Sequence, residues 1–390
     1  MSFLTSITSA FKGGGSARVP IARGFVSPWA SAFEARGASV PPFDYATSLE
    51  AGYASNPVAQ RAVRIVAEGV GAAPVSTPET KDADELLALV TAPSAGQSLV
   101  ETIAAHLLLH GNAFVQVLKD ASGRPVELFA LRPERVTIRQ RADGWPEAFA
   151  YHLGAQTHLI PMEDEDGWPE LIHLKCLNPG DDHYGAGALS AAAQAIAIHN
   201  AASRWNHALL ENAARPSGAL VYAPGDGQGL TADQFERLKA ELASAFQGQG
   251  NAGRPMLLEG GLSWQSMALS PADMDFATLK AAAARDIALA FGVPPMLLGL
   301  PGDNTYSNYR EANRALWRLT LLPLADKIFS GIAAGMAPWF DGASIAVDLD
   351  RVPALSEDRE RLWKQVSEAD FLTPEERRAM LGLAPMESSQ

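Results

Sequence analysis

Apolar residues recur every three or four positions in two consecutive stretches between Ser270 and Ile328. In the first stretch the recurring positions are Phe276, Leu279, Ala283, Ile287 and Phe291. This spacing is that of one apolar helical face. Ser270 is suited to cap the start of the helix, and Gly292 followed by Pro294 ends it. The pattern therefore predicts a long helix over residues 270–292.

A second helix is predicted after a polar loop that runs from Leu297 to Asn308. Asn308 and Glu311 have the spacing of a capping box. The apolar face of this helix is formed by Tyr309, Ala312, Leu316 and Leu319. Pro323 lies inside the apolar pattern, which favours a kink in a continuing helix over a stop. Residues 270–328 concentrate no acid, nucleophile or metal-ligand cluster, so they indicate architecture rather than chemistry.

Helix and strand patterns occupy separate stretches in the first half of the chain. Helices are predicted after Asn56-Pro57 and from about Ser98 to His110. Strands are predicted at Ala113–Leu118, Glu127–Leu131 and Val136–Arg139, with hairpin-like sequence up to Lys175. Because the two kinds of element are segregated, the predicted fold class is α+β.

A strongly helical pattern from Ala188 to Ala214 precedes a small insertion. Strands of the insertion are predicted at Ala219–Tyr222, Met256–Glu259 and Leu262–Leu269, and Thr231 opens a helix between them. The insertion lies between two long helices, which we expect to run side by side.

The last part of the chain predicts a strand and two short helices. The elements are Ile345–Leu349, Glu357–Ser367 and Pro374–Leu381. Thr373 with Glu376 has the spacing of a capping box for the last helix.

Composition is that of a folded protein with little affinity for nucleic acid. The 390 residues are 47% hydrophobic and 19% charged, enough for two or three domains with a sizeable core. The formal net charge of −13 disfavours tight DNA binding through phosphates, which requires a basic surplus. A single cysteine, Cys176, excludes internal disulfides and multi-thiolate metal sites. No run reaches eighteen apolar residues and the N-terminus lacks a secretion signal, so we expect no membrane span.

Few patterns suggest catalysis or metal binding. His106 and His110 would share a helical face, but no third ligand accompanies them and packing is favoured. Asp181, Asp182 and His183 could form a carboxylate–imidazole site, although the surrounding glycines favour a turn. A hydrolase using Asp182 and His183 is the alternative function, and the absence of a Gly-x-Ser-x-Gly motif counts against it. A scaffolding module with helical interaction surfaces is a third interpretation. We predict no catalytic residue, metal ligand or cofactor.

Short motifs follow one another along the chain. Those of the first half are Gly111–Phe114, Leu131–Val136, Leu171–Lys175 and the pair Gly185 and Gly187. Those of the second half are Asn212–Gly218, Ile287–Pro295, Ser307–Tyr309, Leu321–Leu324, Leu372–Arg377 and Gly382–Pro385. Each motif is weak alone. In this order, over about residues 50–387, they resemble the HK97 family of tailed-phage portal proteins, which includes those of phage-like gene transfer agents.

The resemblance implies an α+β portal fold that assembles as a ring. Its parts are a mixed α/β wing, a two-helix stem, a small α/β clip, a kinked long helix and a short helical crown. The implied boundaries are 1–187 for an N-terminal arm and the wing, 188–216 and 270–292 for the stem helices, 217–269 for the clip, 293–308 for a tunnel loop, 309–354 for the kinked helix and wing return, and 355–390 for the crown.

The resemblance also implies a function without catalysis. A portal forms a ring, usually of twelve copies, at one capsid vertex, and double-stranded DNA is packaged and ejected through it. The implied partners are other copies of the chain, the major capsid protein, the terminase large subunit, the head–tail adaptor and the passing DNA, with no membrane. Assembly would take place in the bacterial cytoplasm, and the product would be a virion or a phage-like particle. The sequence leaves open whether this particle is an infectious phage or a gene transfer agent.

Two contact sites are implied by the resemblance. The tunnel loop would face DNA with Asp303, Asn304, Thr305, Tyr306, Ser307 and Asn308. The clip would meet the terminase and then the adaptor through Gln228, Asp233, Arg237, Gln249, Asn251 and Arg254. An acidic tunnel wall would repel phosphates, so that moving DNA meets no deep binding minimum.

Overall fold

The computed structural model describes residues 44–382, except residues 95, 212–217, 223–230, 232, 238–239, 241–261, 267–275 and 301–305. The helices of the first half are α1 (Tyr45–Leu49), a π-helical turn (Glu50–Ala54), α2 (Pro57–Gly71), α3 (Lys81–Thr91) and α4 (Leu99–Leu109). The strands of the first half are β1 (Val75–Ser76), β2 (Pro93–Ser94), β3 (Gln97–Ser98), β4 (Asn112–Lys119), β5 (Pro125–Leu131), β6 (Val136–Gln140), β7 (Pro146–Leu153), β8 (Gln156–Pro161) and β9 (Leu171–Lys175). The α+β class is confirmed.

The second half is mainly helical. Its elements are α5 (Ala188–Glu211), β10 (Gly218–Tyr222), β11 (Leu262–Ser266), α6 (Phe276–Ala290), α7 (Tyr306–Leu316), a π-helical turn (Trp317–Leu321), α8 (Leu322–Met336), β12 (Ala346–Val347), α9 (Ser356–Ser367) and α10 (Pro374–Leu381). Strands β10 and β11 pair antiparallel, with Gly218 opposite Ser266. The insertion therefore contains a two-stranded sheet, and the strand predicted at Met256–Glu259 lies outside the described residues.

Two small sheets share one apolar cluster, and one of them also borders the central core. One sheet has the order β5-β4-β9 and the other β6-β7-β8, all antiparallel. Side chains alternate along β4, so Val115 packs into the central core while Phe114 packs between the two sheets. Phe114 contacts Phe149 edge-to-face, with ring centroids 5.8 Å apart. Burial on both faces explains why Ala113, Phe114 and Val115 are consecutive apolar residues.

Local caps account for several helix starts. Asn56 accepts hydrogen bonds from the backbone N–H groups of Val58 and Ala59 at the start of α2. Ser98 accepts one from Glu101 at the start of α4. The capping box predicted at Thr373 is present at α10. These starts are confirmed because a cap is a contact between near neighbours in the sequence.

The second of the two predicted helices continues through Pro323, as predicted. A π-helical turn, Trp317–Leu321, immediately precedes this proline, which occupies the first turn of α8. The whole helical segment Ser307–Met336 is long and apolar enough to cross a membrane by length and composition, a test that core helices also pass. The prediction of no membrane span stays a prediction, and Ile328 and Ile332 of this segment are buried in the central core.

Candidate functional site

Two backbone segments cross at the start of α5, and glycine is required at their contact. Gly111, with φ of +82°, precedes β4, while Gly185 and Gly187 precede α5. A Cβ atom on Gly185 would lie 2.1 Å from the carbonyl oxygen of Gly111. One on Gly187 would lie 2.7 Å from the carbonyl oxygen of Leu109. Any side chain at these positions would push the two backbones apart.

The buried amide of Asn112 holds this crossing together. Its Oδ1 accepts a 2.7 Å hydrogen bond from the backbone N–H of Gly185 and lies 3.0 Å from Nε2 of His173. Its Nδ2 donates to the carbonyl oxygen of Gly185 at 3.1 Å and lies 3.1 Å from Nδ1 of His110. Asn112 and Gly185 are 73 residues apart, so one side chain joins β4 to the segment that leads into α5.

His110 and His173, which contact this amide, and His106, which lies near His110, are neutral near pH 7. Burial lowers the pKa of His110 to about 4, and burial together with the nearby Lys175 charge lowers the pKa of His173 to about 4. Burial and the neighbouring His110 lower the pKa of His106 to about 4 as well. Tyr45 packs edge-on against the His110 ring, with centroids 4.8 Å apart. His106 and His110, which are spaced by four residues, therefore lie in a packed interior.

The side chain of Asp181 organises a turn by accepting hydrogen bonds from the backbone that follows it. Its Oδ1 accepts hydrogen bonds from the backbone N–H groups of His183 at 2.7 Å and Tyr184 at 2.9 Å. The Lys175 ammonium donates to the carbonyl oxygen of Asp182 at 2.6 Å. The geometry is that of the turn favoured by the sequence and provides no carboxylate–imidazole pair for a hydrolase.

Helices α5 and α6 pack along each other, as expected, and a polar contact ties α5 to the first half of the chain. Asn56 Nδ2 donates to Oδ1 of Asn200 at 2.8 Å and lies 3.1 Å from Nδ1 of His199. Asn200 in turn donates to the carbonyl oxygen of Ala51 at 2.8 Å. The α5–α6 pair is thus anchored at the first half through side-chain amides.

Large apolar side chains are exposed along both helices of this pair and on the helix that follows. Trp205 on α5 is 47% exposed, and Leu289 on α6 is 78% exposed. Leu319, in the π-helical turn, is also 78% exposed. These exposed apolar side chains are available for contact with another protein.

The turn after α6 is fixed by a side-chain contact across the chain. Gly292 has φ of +66°, and its carbonyl oxygen accepts a 2.6 Å hydrogen bond from the hydroxyl of Thr320. A Cβ atom at Gly292 would lie 2.7 Å from that hydroxyl oxygen. Glycine is therefore needed here for its conformation and for its lack of a side chain.

The residues predicted to face DNA are divided between a helix and the part of the chain outside the described residues. Asp303, Asn304 and Thr305 lie outside them, while Tyr306, Ser307 and Asn308 form the first turn of α7. The capping box predicted at Asn308 and Glu311 is wrong. A cap residue has non-helical backbone, and Asn308 already follows two helical residues.

Only part of the predicted clip contact is described. Asp233 and Arg237 lie on an exposed helical stretch, residues 233–237. Thr231 opens it as predicted: its hydroxyl accepts from the Gln234 N–H at 3.4 Å, and the Gln234 side chain accepts from the Thr231 N–H at 2.9 Å. The other predicted residues lie outside the described ones: Gln228, Gln249, Asn251 and Arg254.

Three arginines spaced by four residues meet two carboxylates at the start of α9. Arg310 and Arg314 donate to the Glu357 carboxylate at 2.5 and 2.9 Å. Arg318 donates to Asp358 at 2.7 Å, and Nε of Arg314 lies 3.3 Å from the same carboxylate. This contact was not predicted from the sequence. The arginine spacing was visible, but no local pattern relates it to acids about forty residues later.

A second ion pair joins helix α9 to the segment before it and to the end of α10. Arg359 donates to both oxygens of Asp350, at 2.5 and 3.1 Å, and to the carbonyl oxygen of Leu381 at 3.0 Å. The hydrogen bond from Arg359 lowers the pKa of Asp350. Trp363 Nε1 donates to the same carboxylate at 3.1 Å. Helices α9 and α10 are thereby fixed as one unit.

Comparisons with known proteins match nearly the whole described chain. The family model described as phage portal protein matches residues 57–382. A chain from the neck of a native gene transfer agent particle, computed with C12 symmetry, is 44% identical, with a TM-score of 0.67 over 92% of this chain and 99% of that chain. An HK97 family phage portal protein from Corynebacterium diphtheriae is 18% identical, with a TM-score of 0.56 over 79% of this chain and 97% of its own, a likeness of fold. The probable portal protein of Streptomyces phage phiC31 is 27% identical over 318 residues, 77% of this chain and 66% of that protein.

Proposed function

This chain belongs to the family of phage portal proteins, and on that premise we propose that twelve copies form a ring at one capsid vertex and conduct double-stranded DNA. The family and its fold are structural rather than enzymatic, which removes the hydrolase alternative. One observation carries the proposal: the 44% identical chain, matched over 92% of this one, belongs to a particle neck computed with C12 symmetry.

The exposed side chains of the α5–α6 pair support a ring. A closed ring uses head-to-tail interfaces, in which two different patches of each subunit meet. Trp205 offers an apolar patch on α5, and Leu279 and Leu289 offer another on α6. In the proposed ring these helices form the stem, and each stem packs between two neighbours.

The remaining parts follow the boundaries implied by the sequence. The clip, residues 217–269, contacts the terminase and then the head–tail adaptor. The segment after residue 355 forms the crown inside the capsid, and the wing contacts the major capsid protein. The ring assembles in the bacterial cytoplasm and becomes part of a virion or phage-like particle.

The direct test of this role is DNA retention by particles. Particles made without the protein and particles complemented with it are treated with nuclease, and the protected DNA is measured. We expect protected DNA only after complementation. DNA-filled particles made in its absence would rule out a conduit function.

The proposed tunnel loop is tested in the same assay. Replacing residues 303–308 with a short glycine linker should leave the mass of purified rings unchanged and reduce protected DNA. A matched control carries the same linker in the β6–β7 turn, residues 141–145, and should retain normal DNA. Unchanged packaging by the loop variant would remove this segment from the DNA path.

The clip contact is tested by charge reversal at the two described residues. Asp233→Lys with Arg237→Glu keeps the net charge of the exposed helix while reversing its pattern. We expect loss of terminase binding in a pull-down from purified components, with ring mass unchanged. Binding equal to that of the unaltered protein would place the contact elsewhere.

A further inference from the structure

A surface cavity of about 390 Å³ opens where helices α4, α5 and α8 meet. The side chains around it are mainly apolar and include Leu107, Leu108, Cys176, Ala188, Ala191 and Leu324. A water molecule takes up about 30 Å³ in the liquid, so the cavity has room for a side chain of several carbon atoms. Moving an apolar side chain from water into such a site is favourable. The cavity therefore suits an aliphatic side chain.

Helices α5 and α6 run antiparallel beside this cavity. Leu189, near the start of α5, and Phe291, just after the end of α6, are both buried in the central core. The opposite ends of the two helices, Glu211 and Phe276, lead to the paired strands β10 and β11. The start of α5, which lines the cavity, therefore lies beside the end of α6.

Leu289, near the end of α6, lies at the level of the cavity. Burial and the nearby Lys280 charge lower the pKa of His199, which places Lys280 beside His199 on the facing helix. From this point Ala191 lies eight residues away along α5 and Leu289 nine residues away along α6. At about 1.5 Å per residue, these are about 12 and 13.5 Å in the same direction. Leu289 is 78% exposed, so its own subunit leaves it uncovered.

The symmetry of a ring brings this leucine to the next subunit at the height of the cavity. Rotation about the ring axis keeps every residue at its height. Packed helices have axes about 8–10 Å apart, so Leu289 and Ala191 differ in height by at most about that distance, whatever the inclination of the helices. Both are exposed, and they lie on different patches of the chain, as a head-to-tail interface requires.

We propose that Leu289 of each subunit inserts into the cavity between α4, α5 and α8 of the next subunit. The contact repeats around the ring and closes it, because each subunit offers one leucine and one cavity. The inference rests on the proposed function for the ring itself, and it adds which residue and which cavity meet between neighbours.

The test is a cross-link to the single cysteine of the chain, Cys176, which lines the cavity. The variant Leu289→Cys adds one thiol per subunit. Isolated rings are treated with diamide or with a short bismaleimide, at mildly alkaline pH because burial raises the pKa of the Cys176 thiol. The bismaleimide is included because a disulfide forms only when the Cα atoms are about 4.4–6.8 Å apart. We expect a ladder of species larger than a dimer on a denaturing gel, since each subunit is linked to both neighbours.

Two variants control for the partner and the position of the link. Adding Cys176→Ser to Leu289→Cys should abolish the ladder. Leu279→Cys lies ten residues earlier on an exposed part of the same helix, about 15 Å away along its axis, and should form no ladder. A dimer that persists with Cys176→Ser would show two engineered thiols facing each other, which the head-to-tail contact forbids.

Truncation of the leucine measures its effect on the ring. Leu289→Ala should raise the concentration at which rings dissociate on dilution by roughly 10- to 100-fold, because a buried leucine side chain returns to water. Leu159→Ala removes an exposed leucine from β8 and should leave that concentration unchanged.

Three results would overturn the inference. One is a set of intact Leu289→Cys rings that neither reagent links, which would show that something else covers the cavity. The second is a link within a single chain, seen as loss of both thiols without a ladder. The third is equal weakening by Leu289→Ala and Leu159→Ala. Ring mass is measured on the same samples: rings absent even from the unaltered protein would contradict the proposed function and this contact with it, whereas intact rings without the link contradict the contact alone.

Discussion

Replacing Asn112 by alanine should lower the free energy of unfolding by about 4 kcal/mol. The side chain is fully buried and contacts Gly185, His173 and His110. A neutral hydrogen bond contributes about 1 kcal/mol net, and each buried group left without a partner costs about 1–3 kcal/mol. Asn112→Ala leaves both the N–H and the C=O of Gly185 without this partner, and it removes the contacts to two imidazoles.

The loss in free energy of unfolding is measured by denaturant unfolding, with tryptophan fluorescence as the signal. A local readout is hydrogen exchange at the Gly185 amide, which should become faster in the variant. Gln116→Ala is the matched control because Gln116 lies on the same strand and is only partly buried. We expect the control to change stability by about 1 kcal/mol or less. A loss below about 1 kcal/mol for Asn112→Ala, at an unchanged denaturant slope, would refute the role of this amide.

Three further predictions concern pH, the backbone crossing and the last helix. The folded pKa values of about 4 for His110 and His173 lie below their unfolded value, so the unfolded chain binds more protons between pH 6.5 and 4. Stability should therefore fall over that window as pH drops, by up to about 3 kcal/mol per histidine, as seen in unfolding curves at pH 7 and pH 4. Gly185→Ala should cost more than about 3 kcal/mol, because its Cβ would lie 2.1 Å from a carbonyl oxygen, whereas Gly180→Ala should be nearly neutral in the same unfolding assay, with its nearest atom at 3.6 Å. Arg359→Gln should weaken the docking of α10 by about 2 kcal/mol, which limited proteolysis between α9 and α10 would detect; unchanged protection would contradict it.

Local patterns determined which elements could be predicted. The starts of α2, α4 and α10 depend on Asn56, Ser98 and Thr373, whose partners lie two or three residues away. The start of α7 was predicted at Asn308 from the Asn308–Glu311 spacing, but the helix already begins at Tyr306. Helix α3 was overlooked, although Thr80 caps it and Leu86 and Val90 are buried on one face.

Long-range contacts could not be predicted in the same way. The motif Gly111–Phe114 and the pair Gly185 and Gly187 were noted separately, and only the fold shows that they touch. The pairing of Arg314 with Glu357 spans 43 residues and joins elements with no sequence pattern in common. Motif order indicated the family, and the physical reason for the glycine motifs is the close crossing of two backbones.

The most direct test of the proposed ring is native mass spectrometry of the purified protein, with negative-stain imaging of the same sample. Twelve chains of 41.4 kDa predict a particle of about 500 kDa. Images should show a ring with a central hole. A stable dimer with a closed surface would contradict the ring and, with it, the proposed DNA conduit.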